Sequence, residues 1–126
     1  MRKLKLPGRS QDMPRLKEND IDLIQENGVE GVKQQARQIV EAKLLEQPEN
    51  DGKQTPYAGN PVYKAMHACG AASRQDLARK HRIPAGKELT ESQVESVVNL
   101  LVRWIVREYN FYRKESQAEQ KKLAEF

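Results

Sequence analysis

An apolar stripe across residues 94–112 constrains the fold more than any other feature of the sequence. Its members recur every three or four residues, which is the spacing that one face of an α-helix requires. Thr90 and Gln93 precede it at the positions of a capping box. We therefore predict a long amphipathic helix that begins after Thr90, continues to about Arg113 and forms the centre of the core. The stripe consists of Val94, Val97, Val98, Leu101, Trp104, Ile105, Tyr109 and Tyr112.

Shorter helical segments precede this helix. Apolar periodicity predicts helices over 20–26 and 29–46, separated by Asn27-Gly28, where positive φ is tolerated. Asn60-Pro61 and Ser73 are helix-start signals for 61–69 and 73–81. The fold is predicted to be all-α, a single domain of four or five helices packed on a long C-terminal amphipathic helix. The irregular stretch 47–60 is long enough to be a functional or mobile loop.

The chain of 126 residues suits one domain with less regular ends. Residues 1–17 are predicted to be a basic flexible arm, 18–113 the helical domain and 114–126 a charged C-terminal extension. Cys69 is the single cysteine, so no internal disulfide can form, and no apolar run approaches a membrane span. We expect a cytoplasmic protein with no membrane association.

The sequence contains none of the familiar catalytic signatures, such as a P-loop, GxSxG or HExxH. We therefore expect a binding protein that is not an enzyme and uses no cofactor. The net charge of +4 is unevenly spread: +5 over 1–17, −6 over 18–51, +6 over 52–87 and −1 over 88–126. The basic blocks could meet a polyanion, or they could neutralise the acidic block within the fold.

The basic segment around 64–87 indicates nucleic-acid binding, because phosphates are recognised by several cationic groups on one surface. We expect DNA or RNA to be contacted by Lys64, Arg74, Arg79, Lys80, Arg82 and Lys87. The arm would add Arg2, Lys3, Lys5, Arg9, Arg15 and Lys17. Tyr57 and Tyr63 flank this segment and could stack on bases. Residues 73–84 also resemble the first helix of a helix-turn-helix, although the connection to the next helix is long for that motif.

Two other hypotheses stay open. One is a protein-interaction adaptor or small inhibitor, which could be a homodimer through the aromatic end of the last helix, where Tyr109, Phe111 and Tyr112 cluster, with Phe126 nearby. The other is a degenerate metal-binding domain. It would use the possible ligands that lie close together in the sequence, namely His67, Cys69, Asp76 and His81.

The segment from Asn50 to about Arg107 resembles a small uncharacterised prokaryotic family of unknown function. The matching residues are Asn50 to Pro56, Gly59, Pro61-Val62, His67-Ala68, Arg74, Leu77, Lys80-His81, Ile83-Pro84, Gly86 to Thr90 and Trp104-Ile105. That family has cysteines where this chain has Ala72, Ser73 and Asp76, a histidine in place of Asn60, and a tryptophan in place of Lys80. The resemblance implies a retained scaffold whose thiolate metal site is lost, and it implies no activity.

Overall fold

The computed structural model describes residues 3–124, which contain four α-helices and no strand. They are α1 (Glu18–Leu44), α2 (Pro61–Ala68), α3 (Arg74–His81) and α4 (Glu91–Ala124). Helices α1 and α2 pack on α4 and on each other. The all-α prediction with a long C-terminal helix is confirmed. Within the described residues, no helix combines the length and the apolar character needed to cross a membrane.

Helix α4 begins at the predicted capping box. The backbone N–H of Thr90 donates to Gln93 Oε1 at 2.9 Å, and the N–H of Gln93 donates to Thr90 Oγ1 at 3.1 Å. The predicted stripe faces inward: it is buried from Val94 to Ile105, while Tyr109 and Tyr112 are half-buried. The helix continues past its predicted end to Ala124, and most of its residues beyond 112 are exposed.

Helix α1 joins the two predicted segments across a kink. Gly28 has φ 69° and ψ 173°, outside the helical region, which confirms the predicted break. The helix continues immediately after this residue, so the two predicted segments form one kinked helix. The second half buries Val32, Ala36, Val40 and Leu44, which follow helical spacing. Val29, which directly follows the kink, is 53% exposed.

The irregular stretch 47–60 is fastened to the helices around it. The Asp51 carboxylate accepts hydrogen bonds from the backbone N–H groups of Arg74 at 2.9 Å and Gln75 at 3.0 Å, at the start of α3. Thr55 Oγ1 donates to the carbonyl of Ala72 at 2.9 Å. Burial raises the pKa of Asp51, but hydrogen bonds from these amides and from Gln54 and Gln47 together hold it below its usual value. This stretch therefore supports α3.

Replacing Asp51 with asparagine tests this support. A carboxylate whose pKa is lowered by folding stabilises the protein above its unfolded pKa, and the stabilisation is lost as pH falls through the folded pKa. Asp51→Asn should lower the free energy of unfolding near neutral pH by about 1 kcal/mol, and by progressively less as pH falls through the folded pKa of Asp51. Urea unfolding across pH would measure both, with exposed Asp12→Asn as control. An equal loss at all pH values would contradict the electrostatic explanation.

The described part of the N-terminal segment, residues 3–17, contains no helix but lies along α4. Arg103 donates to the carbonyl of Leu4, and Arg107 donates to the carbonyl of Pro7, both at 2.5 Å. Leu4 is buried, and Trp104 Nε1 donates to Met13 Sδ at 3.3 Å. The segment predicted to be a basic flexible arm thus contributes apolar groups to the core. Arg2 and Phe126, which the sequence analysis also named, lie outside the described residues.

Candidate anion-binding cleft

Three predicted phosphate contacts, Arg79, Lys80 and Arg82, are exposed at the C-terminal end of α3. The helix ends at Arg82, which adopts the left-handed conformation with φ 58° and ψ 35°, and whose N–H donates to the carbonyl of Ala78 at 3.1 Å. Cations at this end also complement the helix dipole. Arg79 is partly engaged, since it donates to Asp76 Oδ1 at 3.1 Å, yet its side chain remains 73% exposed.

The Lys80 side chain is positioned by Gly70. The aliphatic stem of Lys80 lies against Gly70 so closely that a Cβ at this glycine would come within 2.8 Å of Lys80 Cγ. Gly70 also has φ +66°, a conformation that L side chains rarely adopt. Gly70 is therefore required both for the turn after α2 and for the placement of the lysine.

Lys80 lies in the wall of a cleft of about 310 Å³ between the N-terminal segment and the α2–α3 region. Lys5 lies in the opposing segment, held there because Arg103 and Arg107 bind the carbonyls on either side of it. The complete lining is Lys5, Pro7, His67, Ala68, Cys69, Gly70, Lys80 and His81. Within the described part of the chain, this lining contains two lysines and no acidic residue. The cleft is suited to an anion.

Two other predicted phosphate contacts are buried. Lys64 is 7% exposed, and its Nζ lies 2.5 Å from Asp20 Oδ2 and donates to the carbonyl of Arg15 at 2.9 Å. Arg74 has no exposed surface, and its guanidinium donates to four backbone carbonyls. The sequence expectation for these two residues is corrected, because both cationic groups are buried and hydrogen-bonded within the fold and cannot reach a ligand.

Lys87 is exposed but lies apart from the cleft. It lines a different depression, together with Glu46 and Glu88. Acidic neighbours oppose an approaching phosphate. Among the six predicted cations, three therefore lie exposed together at the C-terminal end of α3, namely Arg79, Lys80 and Arg82. Of these, Lys80 lines the cleft together with Lys5 from the N-terminal segment.

The four possible metal ligands are not arranged as a metal site. His67 Nε2–H donates to the carbonyls of Thr55 and Pro56 at 3.0 and 3.1 Å, and His81 Nε2–H donates to the carbonyl of Cys69 at 2.7 Å. Burial raises the pKa of the Cys69 thiol to about 12, against the opposing effect of nearby arginines, so the thiolate ligand is disfavoured.

Asp76 does not line the cleft and pairs with Arg79. Throughout residues 3–124 there is no group of three or more His, Cys, Asp or Glu side chains placed to hold a metal ion. The structure gives the metal hypothesis no support.

The connection between α3 and α4 does not have the geometry of a helix-turn-helix. Residues 82–90 separate α3 from α4, whereas the motif requires a turn of about three or four residues.

The aromatic residues differ widely in exposure. Tyr57 is 77% exposed and stacks on His67, whereas Tyr63 is half-buried with Lys43 Nζ 5.9 Å from its ring centre. Phe111 lies beneath the Arg9 guanidinium, 3.9 Å from the ring centre, which partly covers the aromatic end of α4. Tyr57 is consequently the aromatic residue most available to a ligand among those the sequence analysis named and the structure describes.

A second concavity, of about 410 Å³, lies between the kinked part of α1 and α4. Its walls are mainly apolar, and Val29 and Val106 remain 53% and 37% exposed. It shares Val29 and Val102 with a neighbouring depression that reaches Lys3, so one groove follows the α1–α4 contact. Exposed apolar groups of this kind are typical of protein contacts.

The chain matches the model of one protein family. Residues 8–106 match the family model described as a domain of unknown function, DUF4186. The match confirms the resemblance to a family of unknown function, and it extends that resemblance to residues 8–17 and α1. Two residues that line the cleft, Lys5 and Pro7, lie before the matched residues. No solved structure matches the chain.

Proposed function

Since the chain belongs to the DUF4186 family, whose description assigns no activity, we propose from its surface chemistry that it is a nucleic-acid-binding protein. Phosphates would occupy the cleft between Lys5 and Lys80 and extend toward Arg79 and Arg82. The single observation that supports this most is that Lys5 and Lys80 line the same cleft, whose lining within the described residues contains no acidic residue. Both lysines are exposed, and within residues 3–124 neither forms an ion pair like that between Lys64 and Asp20.

A labelled short oligonucleotide titrated with the protein across a salt series tests the proposal. Affinity should fall as salt rises, because each neutralised phosphate releases condensed counterions. The triple variant Lys5→Gln, Arg79→Gln and Lys80→Gln should bind roughly 10-fold more weakly at low salt and show a shallower salt dependence. Circular dichroism would verify that the variant is folded.

The matched control removes the same charge elsewhere. It is a second triple variant with Lys114→Gln, Lys121→Gln and Lys122→Gln, three lysines on the exposed C-terminal part of α4. Both triple variants lower the net charge by the same amount. Near wild-type affinity in this control would assign the effect to the cleft. Equal losses in both triple variants would mean that only overall charge matters, and no binding at low salt would reject the proposed function.

The groove between α1 and α4 favours a second candidate function, self-association as an interaction module. The occupant would be a second copy of the chain, because α4 has exposed turns with Leu123 67% exposed. Leu123 lies roughly 25 Å along the helix from Val106, at 1.5 Å per residue. An antiparallel pair centred near residue 114 would therefore bring Leu123 of one copy level with the groove of the other.

Light scattering over a concentration series would reveal such a dimer, and Val106→Asp should dissociate it.

A further inference from the structure

Tyr57 is an exposed aromatic side chain held in a fixed orientation. Its ring is stacked on the His67 imidazole, with centroids 4.0 Å apart and planes inclined by 14°, while 77% of the residue remains exposed. One ring face is thus supported by the protein, and most of the remaining surface is in water. An exposed planar ring of this kind provides a stacking surface for another flat group.

The support beneath Tyr57 is itself fixed. The ring nitrogen Nε2 of His67 donates to the carbonyls of Thr55 and Pro56, the two residues that precede the tyrosine. Thr55 is buried and bound through its hydroxyl to Ala72. The loop and the imidazole therefore hold each other, so that a ligand stacking on Tyr57 would meet an ordered surface and lose less entropy on binding.

His67 connects this surface to the basic cleft. The same imidazole that supports Tyr57 lines the cleft with Lys5 and Lys80. The Tyr57 ring is therefore stacked on a side chain that also lines the cleft containing Lys5 and Lys80. Nucleotides in a single strand present these two chemistries together, an accessible base face next to an anionic backbone.

We propose that the cleft is a binding site for single-stranded nucleic acid, in which an unpaired base stacks on Tyr57 while the adjoining phosphates contact Lys5 and Lys80. This inference rests on the proposed nucleic-acid function and narrows it to one class of ligand. A duplex is disfavoured because its bases are already stacked on each other, so that only an end or a disrupted step could offer a face to Tyr57.

The experiment compares labelled single-stranded RNA, single-stranded DNA and the duplex of the same sequence, with wild type, Tyr57→Ala and Tyr57→Phe. Wild type should bind a single strand more tightly than the duplex. Tyr57→Ala should weaken single-strand binding roughly 10-fold to 100-fold, and Tyr57→Phe should retain it, because stacking requires the ring and not the hydroxyl. Residual duplex binding should be the same in all three proteins. The RNA and DNA titrations distinguish the two sources of the strand.

A strand carrying 2-aminopurine gives an independent readout, because stacking on an aromatic ring quenches its fluorescence. Quenching by wild type and its absence with Tyr57→Ala would support the stacking contact. If single strands and duplex bind wild type equally and Tyr57→Ala changes nothing, the inference is overturned while the nucleic-acid function stands. If wild type binds none of the three probes, the proposed function itself fails. Tyr57 is exposed, so its replacement should leave the fold intact, which thermal unfolding would verify.

Discussion

Replacing Arg74 with methionine is expected to destabilise the protein by about 3–5 kcal/mol, a large part of the stability of a domain this size. Arg74 has no exposed surface. Its Nη1 donates to the carbonyls of Leu44 and Leu45 at 3.2 and 3.0 Å, at the end of α1. Its Nη2 donates to the carbonyls of Pro84 and Lys87 at 2.7 and 2.9 Å. Methionine fills a similar volume but leaves all four acceptors without this donor.

Urea unfolding at neutral pH, followed by circular dichroism, would measure the loss. Arg74→Lys should also be strongly destabilising, because one ammonium group cannot reproduce the planar geometry that reaches two separate pairs of carbonyls. The matched control is Arg79→Met on the exposed side of the same helix, expected to change stability by about 0.5 kcal/mol or less. A change below about 1 kcal/mol for Arg74→Met would contradict the structural role assigned to this residue.

Replacing Lys64 with methionine is expected to cost a comparable amount, about 3–5 kcal/mol, because it leaves the Asp20 carboxylate buried without its cation. Asp20 has no exposed surface, and its Oδ2 lies 2.5 Å from Lys64 Nζ and accepts the backbone N–H of Lys17 at 2.9 Å. The pair joins the start of α1 to α2. Lys64 also donates to the carbonyl of Arg15, so the variant loses a contact with the N-terminal segment as well.

A double-mutant cycle separates the ion pair from the loss of packing. Asp20→Asn with Lys64→Met removes both charges, and it should be more stable than Lys64→Met alone, because no unpaired charge remains buried. Chemical denaturation of the four proteins gives the coupling free energy. Two single losses that simply add in the double variant would show that the charges do not interact, against the 2.5 Å geometry.

Neither buried cation could be recognised from the sequence, although both residues were named there. Arg74 and Lys64 occur in the same basic segment as the exposed Arg79 and Lys80, and composition treats the four alike. Their different environments depend on distant partners, such as Asp20 for Lys64 and the end of α1 for Arg74. The sequence analysis therefore predicted a phosphate surface that was too large and included two structural residues.

The cleft shows a related limitation, since the sequence could not reveal which exposed cations lie close together. Lys5 was assigned to a flexible arm and Lys80 to a helix, and nothing in the local sequence brings them together. Their proximity depends on the contacts of Arg103 and Arg107 with the backbone of the N-terminal segment. The sequence carries one weak signal, the alternation of Leu4 and Leu6 with lysines, which is too short a pattern to interpret, although Leu4 is buried in the structure.

The sequence by itself determined the helices, because helix formation and capping depend on residues within about four positions of one another. The capping box at Thr90, the break at Gly28 and the buried stripe of α4 were all predicted on that basis and observed. Only the tertiary structure decided which charged side chains face solvent and which form buried ion pairs or hydrogen bonds with residues far along the chain. That choice depends on burial and on contacts between elements, and these are properties of the packed helices that no single segment carries.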